Sequence, residues 1–337
     1  MLAYIGRRLL YMLIVLLIVS LITFILIQLP PGDFVTSFVS QLIASGRGPS
    51  DRQAYEATLR RQYGLDDPIY VQYGKWIGRM LQGDLGQSLA WRRPVTDLIS
   101  ERLFVTIILA LATLVFIYAV AIPIGIYSAT HQYSPLDYTF TVVGFAGMAI
   151  PEFLFALILM AGAYKFFGLS IGRLFSSDFE SAAWSLRKLV DMLVHLPIPI
   201  VVVGLAGSAG IIRIMRGCLL DELRKQYVVT ARAKGVKERR LLFRYPVRIA
   251  LNPIVSTVGW DLPWVISGQT IASIVLNLPT LGPLLFQALM TQDMYLAGGI
   301  VLILSAMTVV GTFLSDLLLA WLDPRIRLEK GRKESAQ

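Results

Sequence analysis

The chain has 337 residues, of which 55% are hydrophobic and 16% charged, against roughly 25% charged in an ordinary soluble domain. With a mean hydropathy of +0.64, that balance argues against a soluble enzyme and a disordered chain, and for a protein of the bilayer. The net charge of +9 then matters through its placement along the chain, and nucleic acid is a poor partner for it. One cysteine, Cys218, and two distant histidines, His131 and His195, offer neither a disulfide framework nor the ligand spacing of a metal site.

Residues 9–29 are 21 positions without a charge, preceded by Arg7 and Arg8. A secretory signal has a shorter apolar core that ends in small residues. This run continues into Gln28-Leu29-Pro30-Pro31-Gly32-Asp33 and reads as a retained helix. Further apolar runs cover 103–130, then 136–164 with Asp137 and Glu152 inside, and 192–212 with His195, Pro197 and Pro199 near its start. The last two are 249–278, containing Asp261, and 295–322, containing Asp316. Since a membrane-crossing helix needs about 20 residues, the expectation is an all-α polytopic membrane protein with six transmembrane helices. Its parts are an amino terminus (1–8), a first helix (9–30), a connecting segment (31–102), a five-helix core (103–322) and a tail (323–337).

Residues 213–248 hold 11 Lys or Arg and three acidic residues, and the tail holds five and three. Residues 30–102 are balanced, with nine and eight. The positive-inside rule therefore places 213–248 and both termini in the cytoplasm, and 30–102, 165–191 and 279–293 outside. Within the first external segment, Tyr63-Gly64-Leu65-Asp66-Asp67-Pro68 reads as a turn between helices over 53–62 and 70–81, the second with Tyr70, Tyr73 and Trp76 spaced three apart. These helices either lie on the membrane surface or cap the external mouth of a pathway. Residues 279–290 predict a short external helix, and Trp321 an interfacial anchor.

The polar stretch 213–248 predicts helices over 219–227 and 236–245, joined by Thr230-Ala231-Arg232-Ala233-Lys234-Gly235. Ala231, Ala233 and Gly235 carry little side-chain bulk, so another surface can approach the backbone. Arg232, Lys234, Lys237, Arg239 and Arg240 complement an acidic partner or lipid phosphates.

The run Tyr227-Val228-Val229-Thr230-Ala231-Arg232-Ala233-Lys234-Gly235-Val236 resembles the coupling loop of the first membrane subunit of bacterial ABC importers in the dipeptide, oligopeptide and nickel family. The likeness extends to Ile5-Gly6-Arg7-Arg8-Leu9, Pro31-Gly32-Asp33, Gly83-Asp84-Leu85-Gly86-Gln87-Ser88 and Asp323-Pro324-Arg325-Ile326-Arg327, and so covers essentially the whole chain. Val229 and Asn252-Pro253 stand where the broader permease consensus has a glutamate and a leucine-proline pair. The resemblance implies an ABC importer type I permease fold in the bacterial inner membrane. It assigns Ala231, Arg232, Ala233, Lys234 and Gly235 to the cleft of a cytoplasmic ATPase, and Lys237, Arg239 and Arg240 to its rim. It also implies a second permease, two ATPase subunits or domains, and an external solute-binding protein. No G-x-x-x-x-G-K-[ST] phosphate loop occurs, so the chain is expected to bind no cofactor and not to be an enzyme, with ATP and magnesium on the partner ATPases. Di- or oligopeptides are the implied cargo; oligosaccharides, opines, glutathione and nickel are the alternatives within the class.

A secondary transporter driven by an ion gradient is a competing class, because Asp261 and Glu152 lie within apolar runs where charge is expensive and often functional. It leaves residues 231–235 unexplained; a noncatalytic scaffold is the third class. Asp261 either lines a pathway or pairs with a basic residue of a partner permease. Glu152, after Pro151, either touches substrate or makes a structural hydrogen bond in a kinked helix. Ser267, Gln269 and Thr270 either line the pathway or pack helices. His195 reads as structural, and Asp316 as a partner of Arg325 or Arg327.

Overall fold

Long uncharged runs satisfy their backbone groups in lipid only as helices. Helices dominate the computed structural model, which describes residues 2–28, 34–44, 46, 51–63, 66–88, 90–168, 172–179, 182–268 and 270–322. In chain order they are α1 (Leu2–Gln28), α2 (Phe34–Ala44), α3 (Arg52–Tyr63), α4 (Ile69–Leu81), and, after the two-residue strands β1 (Gln87–Ser88) and β2 (Arg93–Pro94), α5 (Val95–Thr130). Next come α6 (Pro135–Ala149), α7 (Glu152–Phe167), α8 (Leu186–His195), α9 (Pro197–Leu223), α10 (Gln226–Ala233) and α11 (Glu238–Arg244). The last are α12 (Pro246–Gly268), α13 (Thr270–Val275), α14 (Leu281–Met290) and α15 (Met294–Leu322).

The all-α polytopic architecture stands, but the six transmembrane helices expected from the sequence and from the permease resemblance do not. Among the described residues, four helices, in α1, α5, α9 and α15, are long and apolar enough to cross a membrane, or five if the bent pair α6 and α7 counts as one. The run 136–164 breaks because Pro151 has no amide hydrogen and drives Ile150 to an extended ψ of 122°. Helices α6 and α7 consequently meet at 106°. In the run 249–278 the described residues are helical in α12 and α13, and Gln269 between them lies outside the described residues. Asn252 and Asp261, with Pro253 and Pro263, reduce its apolar character.

Two compact units are formed by the described parts of residues 1–8, 107–278 and 310–337, and of 9–106 and 279–309. In the first, α9 packs against α6, α7, α8, α12 and α13, and α11 against α12. Gly125 of α5 makes one close approach: a Cβ there would lie 2.6 Å from Met215 Cβ on α9. Arg216 Nη2 on α9 lies 3.1 Å from Asp137 Oδ2, which also accepts from the Tyr133 amide at 3.0 Å. Ser134 caps α6 by accepting from the Asp137 amide. Asp316 pairs with Arg8 at 2.8 Å, one on α15 and the other on α1. Arg325 and Arg327 lie outside the described residues, as do the tail and the Trp321 side chain.

In the second unit, Val95, Leu98 and Ile99 of α5 form a core with Leu281 and Leu284 of α14 and Leu296 and Ile300 of α15. Asp293, 1% exposed, caps α15 by accepting from the Leu296 amide at 3.2 Å. It also accepts from the Ser88 hydroxyl at 2.5 Å and the Ala90 amide at 3.2 Å, which ties down the hairpin of β1 and β2. Helix α4 is held on α1 by the aromatic spacing noted above. Tyr73 Oη lies 2.8 Å from Ser20 Oγ, and the Phe24 ring meets Tyr73 and Trp76 at 5.4 and 5.8 Å. Tyr70 points away from this contact, exposed.

Candidate coupling segment and pathway groove

The polar stretch 213–248 differs from its sequence expectation in two respects: the helix expected over 219–227 is divided at Arg224 and Lys225 between the end of α9 and the start of α10, and the joining residues are shifted. Ala231 and Ala233 are not in a linker; they belong to α10, and the connection to α11 is only Lys234 to Lys237. Alanine is the strongest helix former, so this run continues as helix until Gly235 stops it. Gly235 has φ +77°, its amide donates to the Arg232 carbonyl at 3.0 Å, and the Val236 amide donates to the Ala231 carbonyl at 3.3 Å. Those two bonds form the left-handed glycine cap that satisfies the last carbonyls of a helix.

Val228 and Leu241 are fully buried and seat α10 and α11. Arg232 Nε donates to Glu238 Oε1 at 2.5 Å across the turn, and this hydrogen bond holds the Glu238 carboxyl below its ordinary range. The Tyr227 hydroxyl donates to Glu222 at 2.5 Å; burial, then this carboxylate, raises the phenol well above its usual value. Arg232, Ala233, Lys234 and Gly235 remain exposed. Lys237, Arg239 and Arg240 join Phe243 around an open depression of about 550 Å³. The arrangement is a braced turn with small exposed residues at its tip and cations beside it.

Asp261 on α12 accepts a hydrogen bond from the Tyr118 hydroxyl of α5, and Tyr118 Oη lies 3.2 Å from Thr257 Oγ1. Glu152 opens α7 and is half-buried, with no hydrogen bond or ion pair among the described residues. It faces a groove bounded by the end of α6, the start of α7, Ala206 of α9, Trp264 of α12 and Ile271 of α13. Thr270, in α13, is half-buried. Gln269 and the Ser267 side chain lie outside the described residues.

Outside the spans, His195 Nδ1 lies 2.8 Å from the Asp191 carbonyl oxygen. Burial works against the Asp191 carboxylate, but the Ser176 hydroxyl and amide, at 2.5 and 2.8 Å, and His195 outweigh it and leave the pKa lowered. Among the described residues, no group of three or more His, Cys, Asp or Glu side chains is placed to hold a metal ion. The sequence reading missed Tyr118, Asp137, Arg216 and Asp293. Asp293, as a capping residue before an apolar run, and Asp137, in the Ser134-Pro135-Leu136-Asp137 capping pattern, carried local signals.

Residues 121–328 match the family of binding-protein-dependent transport system inner membrane components, and residues 1–112 match its amino-terminal component. The chain belongs to this permease family. The permease is 35% identical to the oligopeptide transport system permease protein AppB of Bacillus subtilis (strain 168), over 97% of this chain and 99% of the relative. It is 30% identical to the dipeptide transport system permease protein DppB of Escherichia coli (strain K12), over 98% and 100%. The peptidoglycan transport system permease protein YejB of Agrobacterium fabrum is also 30% identical, over 97% and 99%. The protein is thus the multi-pass inner-membrane permease subunit of an ABC importer and a transport component, not an ATPase. That assignment displaces the ion-gradient transporter and the scaffold.

Proposed function

We propose that this permease forms one half of a translocation pathway that imports di- or oligopeptides. In this reading an external binding protein delivers the peptide, a second related permease completes the pathway, and two cytoplasmic ATPases hold ATP and magnesium. The exposed, capped turn between α10 and α11 is the observation that carries the coupling. Ala231, Arg232, Ala233, Lys234 and Gly235 present a narrow tip that enters an ATPase cleft, and Lys237, Arg239 and Arg240 meet its rim. The peptide cargo is supported by the relatives, whose names specify oligopeptide and dipeptide transport.

The amino terminus is assigned to the cytoplasm with this turn, on the strength of Arg7 and Arg8 before the first span and the 11 basic residues of 213–248. Closure of the ATPases moves the α10 to α11 turn, and α9 and α12, which flank it in the chain, carry the motion into the spans. Glu152, Asp261, Ser267, Gln269 and Thr270 are the proposed lining positions.

Reconstitution of the complete importer in proteoliposomes tests the reading. A Cβ at Gly235 meets nothing within 4 Å inside this chain, so a bulky residue there obstructs only a partner and strains the turn. Asparagine tolerates the left-handed conformation and serves as the conformational control. Gly235→Arg should abolish ATP-driven uptake of a labelled tripeptide at normal abundance, while Gly235→Asn retains part of it. Unchanged uptake by Gly235→Arg refutes the docking role, and uptake of oligosaccharide but not peptide by the unaltered complex refutes the cargo.

A further inference from the structure

Glu152 is the first residue of α7, immediately after the 106° bend. Met148, Pro151, Phe153, Trp264 and Ile271 wall the groove beside it, which has a volume of about 430 Å³. Among the described residues of that lining, Glu152 is the one ionisable side chain. Trp264 is 39% and Ile271 59% exposed, so the groove is open. A half-buried carboxylate among hydrocarbon walls is costly unless a cation meets it. The amino terminus of α7 offsets only part of that cost, because the helix dipole acts as a partial charge spread over its first turn. Elsewhere in the same unit, Asp137 has Arg216, Asp316 has Arg8 and Asp261 has Tyr118. Among the described residues, Glu152 alone of these four acidic groups is left facing a groove without a hydrogen bond or ion pair.

We infer that this groove is a transit site for the cationic amino terminus of a peptide, held by Glu152 through a charge-assisted hydrogen bond. The inference rests on the peptide reading above. An ammonium group suits the walls, since it is attracted by a carboxylate and by the face of an aromatic ring such as Trp264. The volume falls within the roughly 300–1,000 Å³ of small-molecule sites, sufficient for a short peptide end rather than a folded partner. An open groove with a single anchoring charge also binds weakly enough to release its cargo, as a transit site must.

The experiment uses the complete importer in proteoliposomes with tripeptides that carry a photoreactive diazirine on the first residue. One peptide has a free amino terminus and the other is acetylated; both are supplied at concentrations that load the binding protein equally. During ATP hydrolysis, adducts of the free peptide should map to residues 148–153 and 264–272. Glu152→Gln should lower that labelling about tenfold, as expected for loss of a charged hydrogen bond, and Glu152→Asp should restore part of it. Assembly of each variant with the ATPases, checked by size exclusion, separates this effect from misfolding.

Adducts elsewhere, equal labelling in Glu152→Gln, or equal labelling by the acetylated peptide would overturn the inference. A zero-length carbodiimide crosslink from Glu152 to a lysine of the second permease in the resting complex would overturn it too, because an assembly ion pair would then fill the site. Peptide uptake by the unaltered complex is measured in parallel. Its absence would strike down the peptide reading itself, whereas its presence without labelling in the groove would strike down only the site.

Discussion

Gly125→Ala tests a close approach of α5 to α9. The added methyl would lie 2.6 Å from Met215 Cβ, 2.8 Å from its Cγ and 3.1 Å from the Ile212 carbonyl oxygen. Non-bonded carbons settle about 3.5–4.0 Å apart, so the overlap approaches roughly 1 Å. Met215 is fully buried, and its Cβ is fixed to the α9 backbone, so a rotamer change cannot clear the clash. The helices must separate, a strain of about 1–3 kcal/mol, against a helix-propensity gain of about 1 kcal/mol for alanine over glycine. With backbone atoms in the clash, the upper end applies and the net loss is about 2 kcal/mol. Gly162→Ala on α7 is the matched control, since a Cβ there meets nothing within 4 Å; it should be neutral or stabilising by up to about 1 kcal/mol. Reversible unfolding in mixed micelles measures both. If Gly125→Ala proves as stable as the unaltered chain while Gly162→Ala behaves as expected, the packing argument for α5 and α9 is refuted.

Asp293→Ala should remove the α15 cap and orphan the Ser88 hydroxyl and the Ala90 amide, a loss of about 2–4 kcal/mol. Hydrogen exchange should show lost protection at Ala90 and Leu296, and unchanged protection would refute the tie. Asp137→Asn leaves Arg216 without its charge partner. Removing half of a buried pair costs about 3–5 kcal/mol, but Arg216 is 32% exposed, so about 1–3 kcal/mol is expected in thermal unfolding. The double variant Asp137→Asn, Arg216→Met should recover part of it. For Asp191 the folded pKa is depressed, so its contribution is fully present above the unfolded value of about 3.9 and is lost as pH falls through the lower folded value. Protection of the Ser176 amide should therefore persist at neutral pH and fall only in that acidic window. Loss of protection already near pH 6 would contradict the assignment.

Much of the class was legible in the residues. Uncharged runs such as 9–29 and 103–130 must be helical, because a bilayer offers no partner for backbone groups. Charge and small bulk in the stretch 213–248 pointed to a docking surface, the resemblance gave that surface its proposed coupling role, and the family match bears out the permease class. Helices α3, α4 and α14 lie within two residues of the periodic segments that predicted them. Spacing of Tyr73 and Trp76 also foretold a shared face, although not that α1 would cover it.

Tertiary structure decided the rest. Hydropathy counts apolar length but is blind to direction, so Pro151 could turn one expected span into two helices at 106°. The helical state of Ala231 and Ala233 depended on where the chain stops, and Gly235 set that point by its positive φ. Ser88 with Asp293, 205 residues apart, and Arg216 with Asp137, 79 apart, meet only because packed helices close the intervening loops. Glu152 is the clearest case. Its sequence neighbours mark it as a carboxylate beside a proline, while its lack of a partner among the described residues is a property of the open groove that α6, α7, α9, α12 and α13 line. Local chemistry along the chain determines which segments enter the membrane; which polar groups find each other there is determined by the packing of those segments.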